Sequence, residues 1–447
     1  MEHLKISEAQ RVIFECVATL GVESVALEQS LGRVLAQDIC ANRDLPPYDV
    51  SAMDGFAVRS SDLAISPLIL EIIEDIKAGD MPSKTVQTGL CARIMTGAPM
   101  PQGADAVIRV EDTRELSPGF IQIAVSVKAG HDVRLQGENM RCGEGVLRAG
   151  TEITPGVVGI LATVKAARLQ VYRRPSVAIL STGNELEGIN DPVDPKKIPD
   201  ANTYALMAQV QALGIEPVLL GIARDDPLEL ERYLKLGLEY DVLLVSGGTS
   251  VGVHDYVRPT IEKLGVAMKF WRVAMKPGHP LAFGVMHRAA KASEVDAARA
   301  EGWLHSSREH TGLPLAGEGA ASDALVFGLP GNPVSSMVCF EEFVAPALRR
   351  MMGNPRLFRR TVTARLAHAV KMRPGRTEFV RVQLSCDDTG YLASSTGTQS
   401  SGVLLSMALA DGLLVLPADC TGLAAGTQVT VQLLDGTTFQ HETGFRE

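Results

Sequence analysis

The chain has 447 residues and a formal net charge of −9 at pH 7, and hydrophobic residues make up 46% of it. At roughly 150 residues per domain this length predicts about three domains, each with a buried core. The acidic balance argues against general binding to nucleic acid or to anionic membranes, since both need a basic surface.

The seven cysteines show no C-x-x-C spacing, which argues against a disulfide framework and against a thiolate zinc site. No uninterrupted apolar run reaches the length of about 18 residues that a membrane-spanning helix needs. The N-terminus has no basic segment followed by an apolar core. We therefore expect a cytoplasmic protein with no membrane association.

The first elements are predicted to be a helix and then a β-rich region. Residues Ser7–Leu20 place apolar side chains on one face, and Ser7 with Gln10 fits a capping box. A second helix is expected from Pro155 to about Ala167. Between them, short apolar runs separated by Gly, Pro and Asp clusters predict strands at Leu68–Ile73, Ala106–Val110 and Phe120–Val127.

From Ser176 the chain alternates between short apolar strands and helices, which predicts a doubly wound, mostly parallel α/β sheet. The expected strands are Ser176–Leu180, Pro217–Ile222, Asp241–Val245, Leu281–Val285 and Leu325–Leu329. The expected helices are Thr203–Leu213, Pro227–Leu238, Asp255–Leu264 and Pro333–Met352.

Two later regions depart from this rhythm. Residues 288–323 have no sustained apolar period and are predicted to be a surface insertion. After Met352 the pattern becomes β-rich, with expected strands at Phe379–Leu384, Gly412–Leu416 and Thr427–Leu434 that would form a small barrel or sandwich.

Three glycine-rich turns follow predicted parallel strands: Ser181–Leu186 (STGNEL), Ser246–Gly252 (SGGTSVG) and Leu329–Ser336 (LPGNPVSS). Glycine lets backbone N–H groups approach an anion, and hydroxyl side chains add donors. Parallel strands end at one sheet edge, where ligands bind in α/β folds, so the turns predict a phosphate or oxyanion site. Each alone also fits an ordinary strand-to-helix turn. The candidate residues are Ser181, Gly183, Ser246, Gly247, Gly248, Thr249, Ser250, Pro330, Gly331 and Asn332.

Charged side chains flank these turns. The carboxylates Glu185, Asp225, Asp226 and Asp255 could hold a divalent cation that bridges phosphate oxygens. Alternatively, Asp226 and Asp255 begin helices and interact with the helix dipole. Lys276, which precedes a Pro-Gly turn, could present a positive charge to an anion, or it could simply be solvated.

Two N-terminal residues, Asp54 and Thr96, lie in segments rich in turn formers, and propensity alone assigns them a turn and a cap. The whole set of motifs, however, resembles the molybdopterin molybdenumtransferases, which perform the last step of molybdenum cofactor assembly. The C-terminal part of the scaffold gephyrin belongs to the same family. The resemblance rests on SAMDGFAV, RIMTGAPMPQGADAV, GENMR, STGNEL, PDANTYAL, SGGTSVGVHDYV, AMKPGHP and LPGNPVSS, which occur in that order.

The resemblance implies a homodimer of four-part subunits. These parts would be a discontinuous helical domain (1–45 and 147–173), a β-rich domain (46–146), an α/β domain similar to molybdopterin adenylyltransferase (174–355) and a C-terminal β-barrel (356–447). It also implies interactions with the adenylyltransferase and with proteins that mature molybdoenzymes.

The family's reaction takes adenylylated molybdopterin and molybdate, inserts molybdenum and releases AMP. By resemblance, Glu185, Asp225 and Asp255 would hold Mg²⁺, while Asp54 and Thr96 would act across the dimer interface. Molybdate would be bound by Lys276, Arg381 and Ser401, and Arg141 in GENMR is a further anion-binding candidate.

Two positions depart from the family pattern. GENMRCGEG ends in Gly145 where an aspartate is usual, and His279 replaces a common second lysine. Because histidine is charged only below its usual pKa of about 6.5, we predict that molybdate affinity weakens between about pH 6 and 8. Alternatively, His279 is a solvent-exposed residue of the turn.

Two other functions are compatible with this sequence. One is adenylylation of molybdopterin itself, but that activity needs neither the N-terminal nor the C-terminal part. The other is a non-catalytic scaffold, which the joint presence of Asp54, Glu185, Asp255 and Lys276 disfavours.

Overall fold

The computed structural model describes residues 3–64, 67–248, 256–288 and 323–434. The chain divides into two compact units. The first comprises Met1–Ser24, Gly32–Ala36 and Gln170–Glu447, and the second comprises Val25–Leu31 and Gln37–Leu169. The four-part division with its boundaries stays a prediction, as does the insertion, since residues 289–322 lie outside the described part.

The second unit is built on a six-stranded sheet, as the β-rich pattern predicts. In spatial order its strands are Ala106–Arg109, Gly55–Val58, Leu90–Ile94, Leu68–Ile76, Phe120–Ile123 and Thr113–Ser117. Only Leu68–Ile76 and Leu90–Ile94 run parallel. Small paired strands, Val50–Ser51 with Val133–Arg134 and Ile39–Cys40 with Gly145–Leu147, and the helix Pro155–Thr163 complete the unit. The strand Gly55–Val58 is buried along its whole length, so it lies in the core.

The α/β sheet of the first unit has six strands. In spatial order they are Val218–Ala223, Val177–Thr182, Val242–Ser246, Ala324–Leu329, Ala282–Met286 and Ala267–Phe270. The first four strands are parallel, and Ala282–Met286 runs opposite to them. Ala267–Phe270 pairs antiparallel with Ala282–Met286 and therefore runs in the same direction as the first four. This confirms the mostly parallel sheet, and it adds the edge strand Ala267–Phe270. Sequence pattern missed that strand because half of its short length is exposed.

The helices of the first unit begin close to the predicted positions, with two corrections. The first helix spans Ile6–Cys16, and its capping carboxylate is Glu8, which accepts the Lys5 N–H at 2.8 Å; the Ser7–Gln10 capping box was wrong. The predicted helix from Pro333 to Met352 contains a π-helical turn at Phe340–Val344. The remaining helices are Ala201–Ala212, Pro227–Gly237, Val257–Lys263, Pro333–Cys339, Ala345–Met351 and Leu405–Ala408.

A closed five-stranded barrel follows the α/β sheet, which confirms the C-terminal prediction. Its strands are Thr377–Asp387, Gly390–Ser395, Thr361–Leu366, Gln428–Leu433 and Gly412–Leu416, and the last pairs with the first. The strand Met275–Lys276 pairs in parallel with Thr377–Glu378. The barrel therefore holds the backbone at Lys276.

Further short elements connect these sheets. They are the strands Val22–Ala26, Arg168–Tyr172, Leu186–Glu187, Ile198–Pro199, Val370–Lys371 and Gly422–Leu423 and the 3-10 helices Leu27–Gln29, Ser60–Ala64 and Val110–Asp112. No helix within the described ranges is both long enough and apolar enough to span a bilayer.

Candidate functional site

The three glycine-rich turns lie next to one another at the carboxyl edge of the α/β sheet. The Gly183 N–H donates to Ala223 O at 3.1 Å, and the Gly247 N–H donates to Leu329 O at 3.1 Å. Each bond joins the ends of two neighbouring strands, so the turns lie at the same edge of the sheet, as expected for parallel strands. Thr249 and Ser250, which complete the second turn, lie outside the described residues, and so does Asp255.

Glycine is required in the second turn for steric reasons. Gly247 and Gly248 have φ values of +89° and +61°, a region that side chains strongly disfavour. A Cβ atom on Gly248 would lie 2.2 Å from Cγ2 of Val257. A side chain here would displace the helix that follows the turn.

Asn202 joins two of the turns and had received no role from sequence. Its Nδ2 donates to Ser246 Oγ at 2.7 Å and to Gly331 O at 2.8 Å. The only sequence signal was its place in PDANTYAL, two residues after Asp200, which caps the helix Ala201–Ala212. Asn202 therefore fixes the spacing between the turns at Ser246 and Gly331.

The hydroxyl of Ser181 has a structural partner. Ser181 is fully buried, and its Oγ donates to Asp200 Oδ1 at 3.0 Å, while Asp200 also accepts the Thr203 N–H at 3.1 Å. The side chain thus supports the helix beneath the edge. The backbone of Ser181 lies within the sheet, in register with Ile222 and Ser246, so its role here is structural support.

Two exposed carboxylates flank the first turn. Asp225 Oδ2 accepts the Asn184 N–H at 3.2 Å, and the Asp225 N–H donates to Asn184 Oδ1 at 3.2 Å. The Glu185 carboxylate folds over Gly183, where a Cβ would lie 2.5 Å from Glu185 Oε2. Asp226 is a helix-capping residue and not a free carboxylate: it accepts the Leu228 and Glu229 N–H groups at 3.1 and 2.8 Å at the start of the helix Pro227–Gly237.

The donor set at this turn fits Mg²⁺ in its usual mode. Among the residues that the structure describes, no group of three or more His, Cys, Asp or Glu forms a protein-only metal cage. Mg²⁺ typically keeps waters and binds through one or two carboxylates together with substrate phosphates. Glu185 and Asp225 place two carboxylates of this kind beside the first glycine-rich turn.

The Lys276 side chain reaches outward from a rigid base. It is 62% exposed and forms an ion pair with the carboxylate of Glu378, which is only 12% exposed. The turn below it is packed: Gly278 has φ +105°, and a Cβ there would lie 2.6 Å from Cys339 Sγ. The ammonium group can therefore reach an anion without a change in the backbone.

Arg381 occupies a different position from the one expected of a direct molybdate ligand. It is 1% exposed, and its guanidinium donates to Ser406 Oγ, Phe379 O and Ser400 O, each at 3.3 Å. The next carbonyl, Ser401 O, accepts the Val334 N–H at 3.2 Å. Arg381 thus holds the loop that places Ser401 beside the third turn.

The environment of His279 alters the expected pH window. Burial lowers the pKa of the imidazole, a hydrogen bond with Val273 O (2.7 Å from Nδ1) raises it, and electrostatic interactions with Arg376, His3 and Arg272 lower it further. The net pKa lies below the ordinary value of 6.5. The imidazole is therefore neutral at neutral pH. The pH range over which molybdate affinity is expected to weaken, predicted from sequence as about 6 to 8, must therefore lie lower.

We accordingly expect the KM for molybdate to be flat between about pH 7 and 8 and to rise with pH only below about pH 6.5, where His279 loses its proton. His279→Lys should lower the KM at pH 7.5, because it restores a permanent charge. Steady-state kinetics from pH 5.5 to 8 test this, and a rise in KM centred above pH 7 that His279→Lys abolishes would contradict it.

In the second unit, Asp54 and Thr96 form one structure. Asp54 Oδ1 accepts the Thr96 N–H at 2.7 Å and the Thr96 hydroxyl at 2.8 Å. These two bonds hold the pKa of Asp54 below its usual value. Arg141 lies in the same unit with an exposed side chain, and its N–H donates to Glu144 Oε2 at 2.9 Å. Gly145 is part of a strand, paired with Cys40.

Comparison with protein families gives three matches that together span most of the chain. Residues 4–164 match the MoeA N-terminal region (domain I and II). Residues 178–350 match a probable molybdopterin binding domain, and residues 363–434 match the MoeA C-terminal region (domain IV).

Individual relatives agree over nearly the full length. The chain is 34% identical to a molybdopterin molybdenumtransferase of Nostoc over 95% of its own length and 93% of the relative. It is 31% identical to that of Staphylococcus aureus over 98% and 97%. The crystal structure of a molybdopterin biosynthesis MoeA protein from Pyrococcus horikoshii superposes with a TM-score of 0.77 at 27% identity, covering 97% of this chain and all of that one.

Proposed function

Because the chain belongs to the molybdopterin molybdenumtransferase family, a family of transferases in molybdenum cofactor biosynthesis, we propose that it inserts molybdenum from molybdate into adenylylated molybdopterin and releases AMP. The observation that carries the proposal is the joined edge of glycine turns, with Asn202 between Ser246 and Gly331. Such turns present N–H donors to a phosphate group.

The proposed division of labour follows the positions of the side chains. The turns that contain Gly183, Gly247 and Gly331 bind the phosphoanhydride and the pterin through their backbone N–H groups other than those of Gly183 and Gly247, which already donate to carbonyl oxygens. Glu185 and Asp225 hold Mg²⁺, with Asp255 as a third candidate outside the described residues. Bound there, Mg²⁺ would neutralise charge on the phosphate oxygens.

Molybdate is a dianion and needs cationic and hydroxyl donors. We assign Lys276 as its main charge partner, because the ammonium is exposed and its backbone is held by the barrel. Ser401 adds a hydroxyl beside the third turn, and Arg381 keeps that loop in place. His279 contributes little charge at neutral pH, and Arg141 is retained as a candidate for binding an anionic part of the substrate.

In the proposed reaction water attacks the phosphorus of the molybdopterin phosphate, the phosphoanhydride bond breaks, and AMP leaves with the electron pair of that bond. Molybdenum binds the two dithiolene sulfurs as one oxo group of molybdate leaves as water with the two dithiolene protons, so no change of oxidation state is needed. Among the described residues both hydrogen bonds to the Asp54 carboxylate end at Oδ1, so Oδ2 is the atom that would take the proton of the attacking water. The proposal includes a cytoplasmic homodimer in which Asp54 and Thr96 of one subunit serve the site of the other.

The test is molybdate-dependent AMP release. Purified protein is incubated with adenylylated molybdopterin and Mg²⁺, with and without molybdate, and AMP is quantified by chromatography. We expect AMP only when molybdate is present. A parallel reaction with molybdopterin and ATP separates the alternatives: adenylylated product there would favour an adenylyltransferase, and no turnover in either reaction would favour a scaffold. Sedimentation velocity of the protein alone measures whether it forms the proposed dimer. The same measurement with added molybdopterin adenylyltransferase measures whether the two proteins associate.

A further inference from the structure

An ion pair lies beside Asp54 in the second unit. Arg109 Nε donates to Asp132 Oδ2 at 2.8 Å and Nη2 donates to Oδ1 at 3.3 Å, so the guanidinium and the carboxylate meet through two parallel bonds. The Arg109 guanidinium holds the pKa of Asp132 below its usual value. Paired bonds of this kind fix geometry better than a single-point ion pair.

The Arg109–Asp132 pair joins the two chain segments that contact the backbone on either side of Asp54. On one side, the Ala52 N–H donates to Asp132 O at 2.8 Å. On the other, the Val110 N–H donates to Asp54 O at 3.2 Å, and Arg109 pairs in register with Gly55. The Arg109–Asp132 ion pair closes this ring of contacts, which we call the Asp54 clamp.

The backbone of Asp132 is held in an unfavourable conformation. Its φ is +52°, a region that a non-glycine residue adopts at a cost, and Lys165 at φ +58° is the other described non-glycine residue there. The surrounding structure must therefore stabilise Asp132. The contacts that do so are those of the Asp54 clamp.

We propose that Asp132, through its ion pair with Arg109, is a positioning residue that keeps the Asp54 carboxylate against Thr96. Asp54 itself is the proposed proton acceptor, so this inference rests on the proposed function. Neither residue of the pair needs to touch substrate. Both act through the two loops that they tie together.

The test compares Asp132→Gly with Lys165→Gly. Each variant removes a side chain from a left-handed residue in the same unit, and glycine accepts that conformation, so both folds are retained. We expect Asp132→Gly to lower kcat for AMP release about 10-fold with KM values within about 2-fold, since the defect lies in positioning and not in binding. Lys165→Gly should match the wild type, and Asp132→Asn should recover part of the loss.

Amide hydrogen exchange provides a readout that does not depend on activity. The Thr96 N–H is bonded to Asp54 Oδ1, so a loosened Asp54 should speed exchange in the peptide that contains Thr96 by about 5-fold or more in Asp132→Gly only. Wild-type kcat or wild-type exchange in that variant would overturn the proposal. If the wild type itself releases no AMP, the proposed function fails, and exchange alone decides whether the clamp exists.

Discussion

Replacing Lys276 with alanine is expected to reduce molybdate-dependent AMP release by about 100-fold or more, because it removes the main positive charge offered to a dianion. The side chain is 62% exposed, so its loss leaves no cavity in a core. The fold should therefore remain intact, as judged by circular dichroism and by thermal unfolding. The measurement is AMP release as a function of molybdate concentration.

Two controls separate charge from structure. Lys371→Ala removes an exposed lysine from the same unit and should leave kcat and KM unchanged. Glu378→Gln removes the carboxylate that pairs with Lys276 and should lower the KM for molybdate, because the ammonium loses its competing partner. Wild-type turnover in Lys276→Ala, with a folded protein, would show that Lys276 does not bind molybdate.

The architecture of the α/β sheet was largely predictable because strands and helices alternate regularly along the chain. Alternation of buried strands with helices is a strong periodic signal, and the strands Val177–Thr182, Val242–Ser246 and Ala324–Leu329 lie within two residues of their predicted bounds. Short or exposed elements carry no such signal, so the strand Ala267–Phe270 was missed. The π turn at Phe340–Val344 was missed because its register depends on packing around buried side chains and not on local propensity.

The site was predictable only in part. Glycine-rich turns are recognisable from sequence, and the structure places three of them at the carboxyl edge of the α/β sheet. Which polar side chains face a ligand cannot be read from residue type: Ser181 and Arg381 are buried and bonded to protein groups. Asn202 and Asp132 form hydrogen bonds with partners distant in the chain, so no local motif reveals these contacts.

A buried acid in the π turn provides the second large expected effect. Glu342 is 6% exposed, and one of its oxygens, Oε1, is buried without a hydrogen-bond partner among the described residues. Its pKa is raised to about 7, chiefly by burial; within that net shift a hydrogen bond with Gln432 lowers the pKa, the neighbouring charge of Glu341 raises it, and Arg359 lowers it. The folded protein therefore binds a proton at this carboxyl that the unfolded chain releases at a lower pH.

The pH dependence follows from that difference. Below about pH 4.5 both states are protonated and the group has no effect. As the pH rises from about 4.5 to about 7 the unfolded chain releases the proton that the folded state still holds, so the folded state loses stability over this window, in total about 3 kcal/mol, and the loss is complete above about pH 7. Glu342→Gln is neutral at every pH. We expect its melting temperature to equal that of the wild type near the acid limit of stability and to exceed it by several degrees at pH 8.

Glu341→Gln is the matched control, because its effect should have the opposite sign. Glu341 Oε2 lies 2.6 Å from Arg359 Nε, and Oε1 accepts the Gln209 amide at 2.7 Å. Neutralising this carboxylate removes a buried charge partner, so Glu341→Gln should melt below the wild type at both pH 5.5 and pH 8. Differential scanning fluorimetry of the three proteins across this range measures both effects. A Glu342→Gln variant that melts at the wild-type temperature at pH 8 would mean that Glu342 carries its charge without cost, and thus that water or a conformational change reaches the π turn.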